Sequence, residues 1–388
     1  MKQSVKDILA DNFWIMPATP EYIDKGVPYI TSKNIKNGTI DFSKVNYISQ
    51  EDYENISKNR PILVGDILIS MIGTLGETAE VKRSDGLFYG QNMYLVRIDE
   101  SKVNKRYFLN FFKSNFVKRA LEGKQNQSTQ KYLKANHIED LIIPVPDVTK
   151  QELIAKQLDK LAYIITLRTN ELKQLDELIK ARFVELFGFP GTDEKGWGLR
   201  RLGECCEINP KKVSDKRLAS GMQVSFVPMT AVSENGAIKT AEKKTYDEVK
   251  VGFTYFAEND VLFAKITPCM ENGKGAVAVG LCNGIGFGST EFHVLRPING
   301  KSNPYWLYSL ISFDTFRKDA ATNMTGSAGQ RRVPSMFLEK YKITLPPFEL
   351  QNQFADFVHQ VDKSKVAVQK ALDETQLLFD SLMQQYFE

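Results

Sequence analysis

Two sets of residues in this 388-residue sequence have types and spacings that chemistry could use. The first is acidic. Asp66 in the run GDILIS is followed by Glu80, Val81 and Lys82, an aspartate plus a Glu-x-Lys arrangement. In such a set the carboxylates could hold Mg²⁺ and the lysine help to activate water. Asp260 stands in the matching run of the second half of the chain, but the region after it reads Glu271-Asn272-Gly273-Lys274 and the spacing is lost. A carboxylate just ahead of a strand has another use, as an acceptor for backbone N–H groups at a turn, and Asp66 and Asp260 both fit it. The second set is polar and lies in loops. In the first half it comprises Thr31, Ser32, Lys33 and Asn34, then Thr74, then Gln91 and Asn92, then Gln127, Ser128, Thr129, Gln130 and Lys131. In the second half it comprises Lys265, Thr267, Asn272 and Lys274, then Ser289 and Thr290, then Gln330, Arg331 and Arg332 at the end of NMTGSAGQRR. Amides and arginines make paired hydrogen bonds to base edges, while lysines, serines and backbone N–H groups hold phosphates, so these loops fit the reading of DNA. They recur at corresponding places in both halves, which supports the set beyond any one member.

Other chemistries find no motif. The sequence has no G-x-x-x-x-G-K-S/T loop, no G-x-S-x-G elbow, no H-E-x-x-H and no dinucleotide fingerprint. Cys205, Cys206, Cys269 and Cys282 show neither C-x-x-C spacing nor neighbouring histidines, which argues for free thiols and against zinc. His137, His293 and His359 are the only histidines, so general bases are scarce. No metal site and no cofactor of the chain's own are expected. A formal net charge of +4 permits a nucleic-acid partner without demanding one. With 42% hydrophobic and 25% charged residues, only short apolar runs, and a start MKQSVKDILADNF that lacks the core of a signal peptide, the expectation is a cytoplasmic protein without a membrane partner.

The elements that must position these loops are legible from periodicity. From Thr149 to Phe187 no proline or glycine interrupts the chain, and the apolar residues Ile154, Leu158, Leu161, Ile165, Leu172, Leu175, Ile179 and Leu186 follow a heptad seam broken by Arg168 and Arg182. A helix of that length is roughly 60 Å long at about 1.5 Å per residue and needs a partner. Adding 200 to each number gives one: Phe354, Val358, Val361, Val368, Leu372, Phe379, Leu382 and Tyr386, broken by Lys365 and Thr375. Antiparallel pairing is expected, with the polar breaks fixing register. The segments leading into the helices repeat as well. SFVPM at 225–229 answers VPYI at 27–30, and ENDVLFAKITP at 258–268 answers VGDILISMIGT at 64–74. GFGSTEFHVLRP at 286–297 answers FYGQNMYLVRI at 88–98, and KITLPP at 342–347 answers LIIPVP at 141–146. NPYWLYSLISFDTFRKDA at 303–320 answers NKRYFLNFFKSNFVKRAL at 104–121, which holds a helical stretch from Lys105 to Leu121. Asn37-Gly38 and Asp85-Gly86 are expected turns. The fold class is therefore α+β: two β-rich domains, each followed by a long helix, in a tandem repeat closed around a pseudo-twofold axis.

Together, GDILISMIGTLGETAEV at 65–81, DVLFAKITPCMENGKGA at 260–276, STEFHVLRP at 289–297 and the strand-proline-helix runs LIIPVPDVTKQELIAKQLDKL and KITLPPFELQNQFADFVHQV resemble the specificity subunit of type I restriction-modification enzymes. The resemblance covers nearly the whole chain. It implies target-recognition domains at 1–148 and 199–347, spacer helices at 149–188 and 348–388, and a linker at 189–198. It also implies a chain without catalysis of its own that reads a bipartite, asymmetric site in double-stranded DNA. Its helices would carry two methyltransferase subunits, which bind S-adenosylmethionine, and restriction subunits would join that core. The alternatives are a Mg²⁺-dependent nuclease built on Asp66, Glu80 and Lys82, and a coiled-coil interaction scaffold.

Overall fold

Short runs of β-branched and aromatic residues bounded by turn formers become strands, and the computed structural model repeats the order of the central four-stranded sheet in both halves. It describes residues 1–73, 75–123, 132–212, 218–239, 241–327 and 329–388. The chain divides into two compact units, Met1–Arg168 with Ala371–Glu388, and Thr169–Lys370. Each is α+β.

In the first unit the fully buried run Ile67–Ser70 lies between Met93–Ile98 and Thr78–Glu80, and Leu9–Ile15 completes an antiparallel four-stranded sheet. A second sheet runs Asn46–Ile48, Val27–Thr31, Tyr89–Gln91, and in it Val27–Thr31 and Tyr89–Gln91 are parallel, with Thr31 opposite Gln91. Asn37 and Gly38, both at positive φ (51° and 78°), make the tight turn between Ile35–Lys36 and Thr39–Ile40, as the Asn-Gly pair predicts. In the second unit Val261–Ala264 lies between Phe292–Pro297 and Gly275–Val277, with Cys206–Ile208 at the edge. Gln223–Val227 pairs parallel with Ile285–Gly288, flanked by Glu242–Thr245 and Thr254–Ala257. The expected 105–121 helix is two, Lys105–Lys113 and Asn115–Glu122. Ser114 closes the first, and its Oγ accepts from the Val117 N–H to open the second. All four cysteines are free thiols, and burial pushes Cys205 up to about 11.

The long helices are Val148–Phe187 and Phe348–Phe387. Within each unit their segments run antiparallel. In the first, Tyr386 Oη donates to Gln157 Oε1 at 2.9 Å, and the Arg168 guanidinium donates to Ala371 O and Thr375 Oγ1. In the second, Lys365 pairs with Asp176 at 2.6 Å, and Phe183 and Phe187 pack on Phe354. Three of the four polar breaks in the seams thus meet polar partners on the facing helix.

The most buried positions shift along the seam. Ile154, Leu158, Phe354, Val358 and Val361 are buried as expected, and Leu161, Ile165, Leu172, Leu175, Ile179, Val368, Leu372 and Phe379 are half-buried. At the far ends Leu186, Leu382 and Tyr386 are half-buried and pack against the cores, while the fully buried positions are Phe183, Phe187, Met383 and Phe387, one further on. A straight helix turns every 3.6 residues, so eight steps from Ile154 reach about 183, whereas a heptad repeat of 3.5 reaches about 182. Arg182 instead pairs with Glu185 and lies over the Phe357 ring.

Each helix is fastened to its own domain by a buried amide. Gln151 is 0% exposed; its Oε1 accepts from the Asn104 N–H at 2.8 Å, and its Nε2 donates to Lys102 O and Pro146 O at 3.1 and 2.8 Å. Gln351, also 0% exposed, repeats the pattern with Asn303 N–H, Lys301 O and Pro346 O at 2.8, 2.9 and 2.8 Å. Leaving such groups buried without partners costs ~1–3 kcal/mol apiece, less what relaxation recovers. Gln351→Ala is expected to lower unfolding free energy in urea by ~2–4 kcal/mol, against less than ~0.5 kcal/mol for Gln353→Ala at an exposed neighbour. Equal effects would show that the buried bonds carry no special weight.

Candidate nucleic-acid interface

The acidic set is the simpler case. Asp66 is 1% exposed, and its Oδ2 accepts from the Leu63 N–H at 2.7 Å, which is the turn use. Arg97, on the neighbouring strand, holds both carboxylate oxygens at 2.8 and 2.9 Å. Asp260 does the same with the Ala257 N–H at 2.7 Å and Arg296 at 2.9 and 2.7 Å. Glu80 pairs with Lys105 at 3.4 Å, and Lys82 is exposed with its N–H donated to Asp85. The nuclease reading of Asp66, Glu80 and Lys82 is thereby corrected: the Asp66 carboxylate is nearly buried, with three of its roughly four acceptor sites taken by Arg97 and the Leu63 N–H, while Glu80 and Lys82 pair elsewhere. Both aspartates are strand clamps.

The polar set is brought together by the parallel strand pairs, because parallel neighbours end at the same edge. Thr31 and Gln91 are opposite each other, so the loops Thr31–Asn34 and Gln91–Asn92 are adjacent, and Ser32 Oγ donates to Asn92 O at 2.8 Å. Asn92 takes φ 64°, a conformation its short amide tolerates. Lys33 is exposed, while Thr31, Gln91 and Asn92 are half-buried. Ser32 and Asn34 are corrections: both are buried, and Asn34 Nδ2 donates to Asp41 O and Lys44 O while its Oδ1 accepts from the Thr31 N–H. Their hydrogen bonds shape the loop instead of facing a duplex. Thr74, Gln127, Ser128, Thr129, Gln130 and Lys131 lie outside the described residues.

In the second unit three segments are stitched at the matching edge. Lys265 N–H donates to Glu291 O at 2.9 Å, Val333 N–H to Lys265 O at 2.9 Å, and Thr267 N–H to Arg331 O at 3.0 Å. Behind them the buried His293 donates from Nε2 to Val333 O at 2.7 Å, and burial holds its pKa below the usual value, so the ring stays neutral and serves the scaffold. Lys274 Nζ reaches Met229 O at 3.4 Å, and Ser289 Oγ accepts from the Glu291 N–H at 3.2 Å. Asn272, Thr290, Gln330 and Arg331 are exposed, and Lys265 and Thr267 half-buried. Arg332 is a partial correction. Its Nε and Nη2 grip Glu291 at 2.8–3.2 Å, and its Nη1 donates to Gln330 O at 3.0 Å, so the guanidinium is anchored to the protein although its side chain is 41% exposed. Glu291 was missed by sequence reasoning, although it stands in the quoted run STEFHVLRP. An acidic residue inside a polar set chosen for phosphate is the signal that pointed to it.

Residues 14–177 and 194–375 match the family model described as type I restriction modification DNA specificity domain. The chain belongs to that family. It is 39% identical over 194 residues to the type I restriction enzyme EcoAI specificity subunit of Escherichia coli, a match covering 48% of this chain and 32% of that one. The EcoEI specificity subunit of E. coli gives 38% over 196 residues, so the match spans about a third of the length of these two relatives. The StySPI specificity subunit of Salmonella potsdam is 22% identical over 383 residues, covering 93% of this chain and 81% of that one. In fold, the crystal structure of the type I S subunit from M. genitalium is similar at TM-score 0.56 and 13% identity over 100% of this chain and 96% of that one. The role of a specificity subunit is DNA recognition, not catalysis.

The Glu291–Arg332 pair sets a pH dependence. The arginine holds the Glu291 carboxyl below its usual value of 4.5. A depressed folded-state pKa contributes stability that is fully present above that usual value and is lost as pH falls through the lower, folded one. Glu291→Gln is therefore expected to reduce stability at pH 7 and to flatten part of the acid limb in urea titrations between pH 7 and 3. A parallel downward shift at every pH would contradict the linkage.

Proposed function

We propose that this chain is the DNA-reading subunit of a type I complex that recognises a bipartite, asymmetric site, one half through each unit. The observation that carries the reading is a common frame with different side chains on it. The bridges Ile72 to Tyr132 and Ile266 to Arg332 correspond, as do the bonds from Leu133 N–H to Met71 O and from Val333 N–H to Lys265 O. In that register Gln91, Asn92 and Tyr132 of the first unit answer Thr290, Glu291 and Arg332 of the second. Equal frames bearing unequal donors and acceptors read unequal sequences. The E. coli relatives match over about one repeat's length at 38–39%, while StySPI matches over nearly the full chain at 22%, which agrees with recognition units that diverge as modules.

In this reading the long helices carry two methyltransferase subunits, and restriction subunits join them. S-adenosylmethionine is bound by the methyltransferase and not by this chain, and the complex works in the cytoplasm. Among the described residues no helix is long and apolar enough to cross a membrane. Leu153, Tyr163 and Leu167 leave exposed apolar area on the first long helix, and Leu377 and Leu378 on the second, which suits a protein partner.

Methylation sequencing of DNA from cells expressing the chain with its neighbouring methyltransferase is expected to reveal a two-part asymmetric motif that vanishes when the chain is deleted. An active methyltransferase with no such motif would overturn the reading.

A further inference from the structure

The two adjacent arginines of the second unit are held very differently, and the difference assigns them different work. Arg332 makes a bidentate grip on Glu291, with contacts at 2.8–3.2 Å, and a further bond to Gln330 O. Three of its nitrogens are engaged, although its side chain is 41% exposed, so what holds it is the number and shortness of its contacts. Among the described residues the Arg331 side chain meets Glu271 Oε1, at 3.4 Å from Nη2, with the two side chains 44% and 34% exposed. A single long contact between exposed charges is worth little in water, so the guanidinium leaves it at small cost. The backbone beneath it is fixed nonetheless: Arg331 O accepts from the Thr267 N–H at 3.0 Å, and the next residue pairs with Thr325 at 2.8 and 3.0 Å in both directions. A rigid base under a loosely held planar fork, among the exposed Thr290 and Gln330 and the half-buried Lys265, is what bidentate reading of a guanine edge requires.

Building on the reading of the chain as a DNA specificity subunit, we propose that Arg331 is the specificity-determining residue of the second unit, that it reads a guanine through O6 and N7, and that Glu271 holds it until DNA arrives. The exchange is of one acceptor for another. Glu271 leaves through its distance and exposure, whereas Glu291 keeps Arg332. In the register that sets Tyr132 against Arg332, Arg331 answers Lys131, a different side chain that lies outside the described residues, and since each unit reads its own half the effect of Arg331 is expected in one half of the site.

The test is methylation sequencing of the assembled complex with the full chain as wild type, R331A, R331Q and E271Q, with binding of the cognate and a base-scrambled duplex measured alongside. The wild-type chain gives a two-part motif. R331A and R331Q are expected to make one G·C position in one half degenerate, leave the other half intact, and lose on the order of ten- to a hundredfold in discrimination at that position. E271Q keeps the wild-type motif. An unchanged motif in R331A and R331Q overturns the proposal. So does uniform weakening on cognate and scrambled duplexes alike, which marks a phosphate contact. If both Arg331 variants fail to accumulate while E271Q does, Arg331 is structural and the proposal falls. A wild-type complex that yields no two-part motif removes the parent reading and this inference with it, and so separates the two failures.

Discussion

A fully buried glutamine amide in the first turn of each long helix is the contact on which each unit depends. Gln151 and Gln351 each satisfy one N–H and two carbonyl groups of their own domain. The N–H belongs in both cases to the asparagine that caps the first aromatic helix, Asn104 or Asn303. One side chain thus joins the loop leaving the central sheet, the start of the aromatic helix and the start of the long helix. A leucine there would strand three polar groups, and a glutamate would lack the two donors and bring a charge into a dry site. The contact ties the start of the long helix to the sheet within a unit, and a loop meets its ligand in a fixed place only if the elements beneath it are held.

Above that foundation the two units keep the same frame and change what it displays. The Asp66–Arg97 and Asp260–Arg296 clamps are alike to within a few tenths of an ångström and lock equivalent strands. With one partner removed, a nearly buried carboxylate would remain uncompensated, at a cost of about 3–5 kcal/mol. Such pairs are retained for the frame. At the edge where the parallel strands end, by contrast, Asn92 is replaced by Glu291 and Tyr132 by Arg332, while the bonds from Leu133 N–H to Met71 O and from Val333 N–H to Lys265 O are kept. Carboxylates therefore do two jobs in this protein: buried ones secure strands, and those near the surface arrange arginines.

Much of this was legible in the sequence, for identifiable reasons. The strands, the Asn37-Gly38 turn, the two long helices and the repeat all follow from local pattern and from the offset of 200, which needs no tertiary information. The turn role of Asp66 and Asp260 was legible from their place before a strand. The end of the helical seam was not, because a heptad count and a straight helix diverge only after about eight steps, where Phe183 displaces Arg182. Ser32 and Asn34 have the residue types of a DNA-reading loop, yet short polar side chains serve loop-internal bonds equally well, and only the fold tells which. Glu291 and the glutamine amides were hidden for the opposite reason. Their meaning lies in partners distant in sequence, Arg332 for the one and the 102–104 and 301–303 loops for the others.

The central claim is that each unit reads its own half-site through a shared frame. Its most direct test is a chain in which residues 201–388 are replaced by a second copy of 1–188, expressed with the methyltransferase and read out by methylation sequencing. The account predicts a symmetric site made of two copies of one half of the wild-type motif. Methylation of the original asymmetric site by that duplicated chain would contradict it.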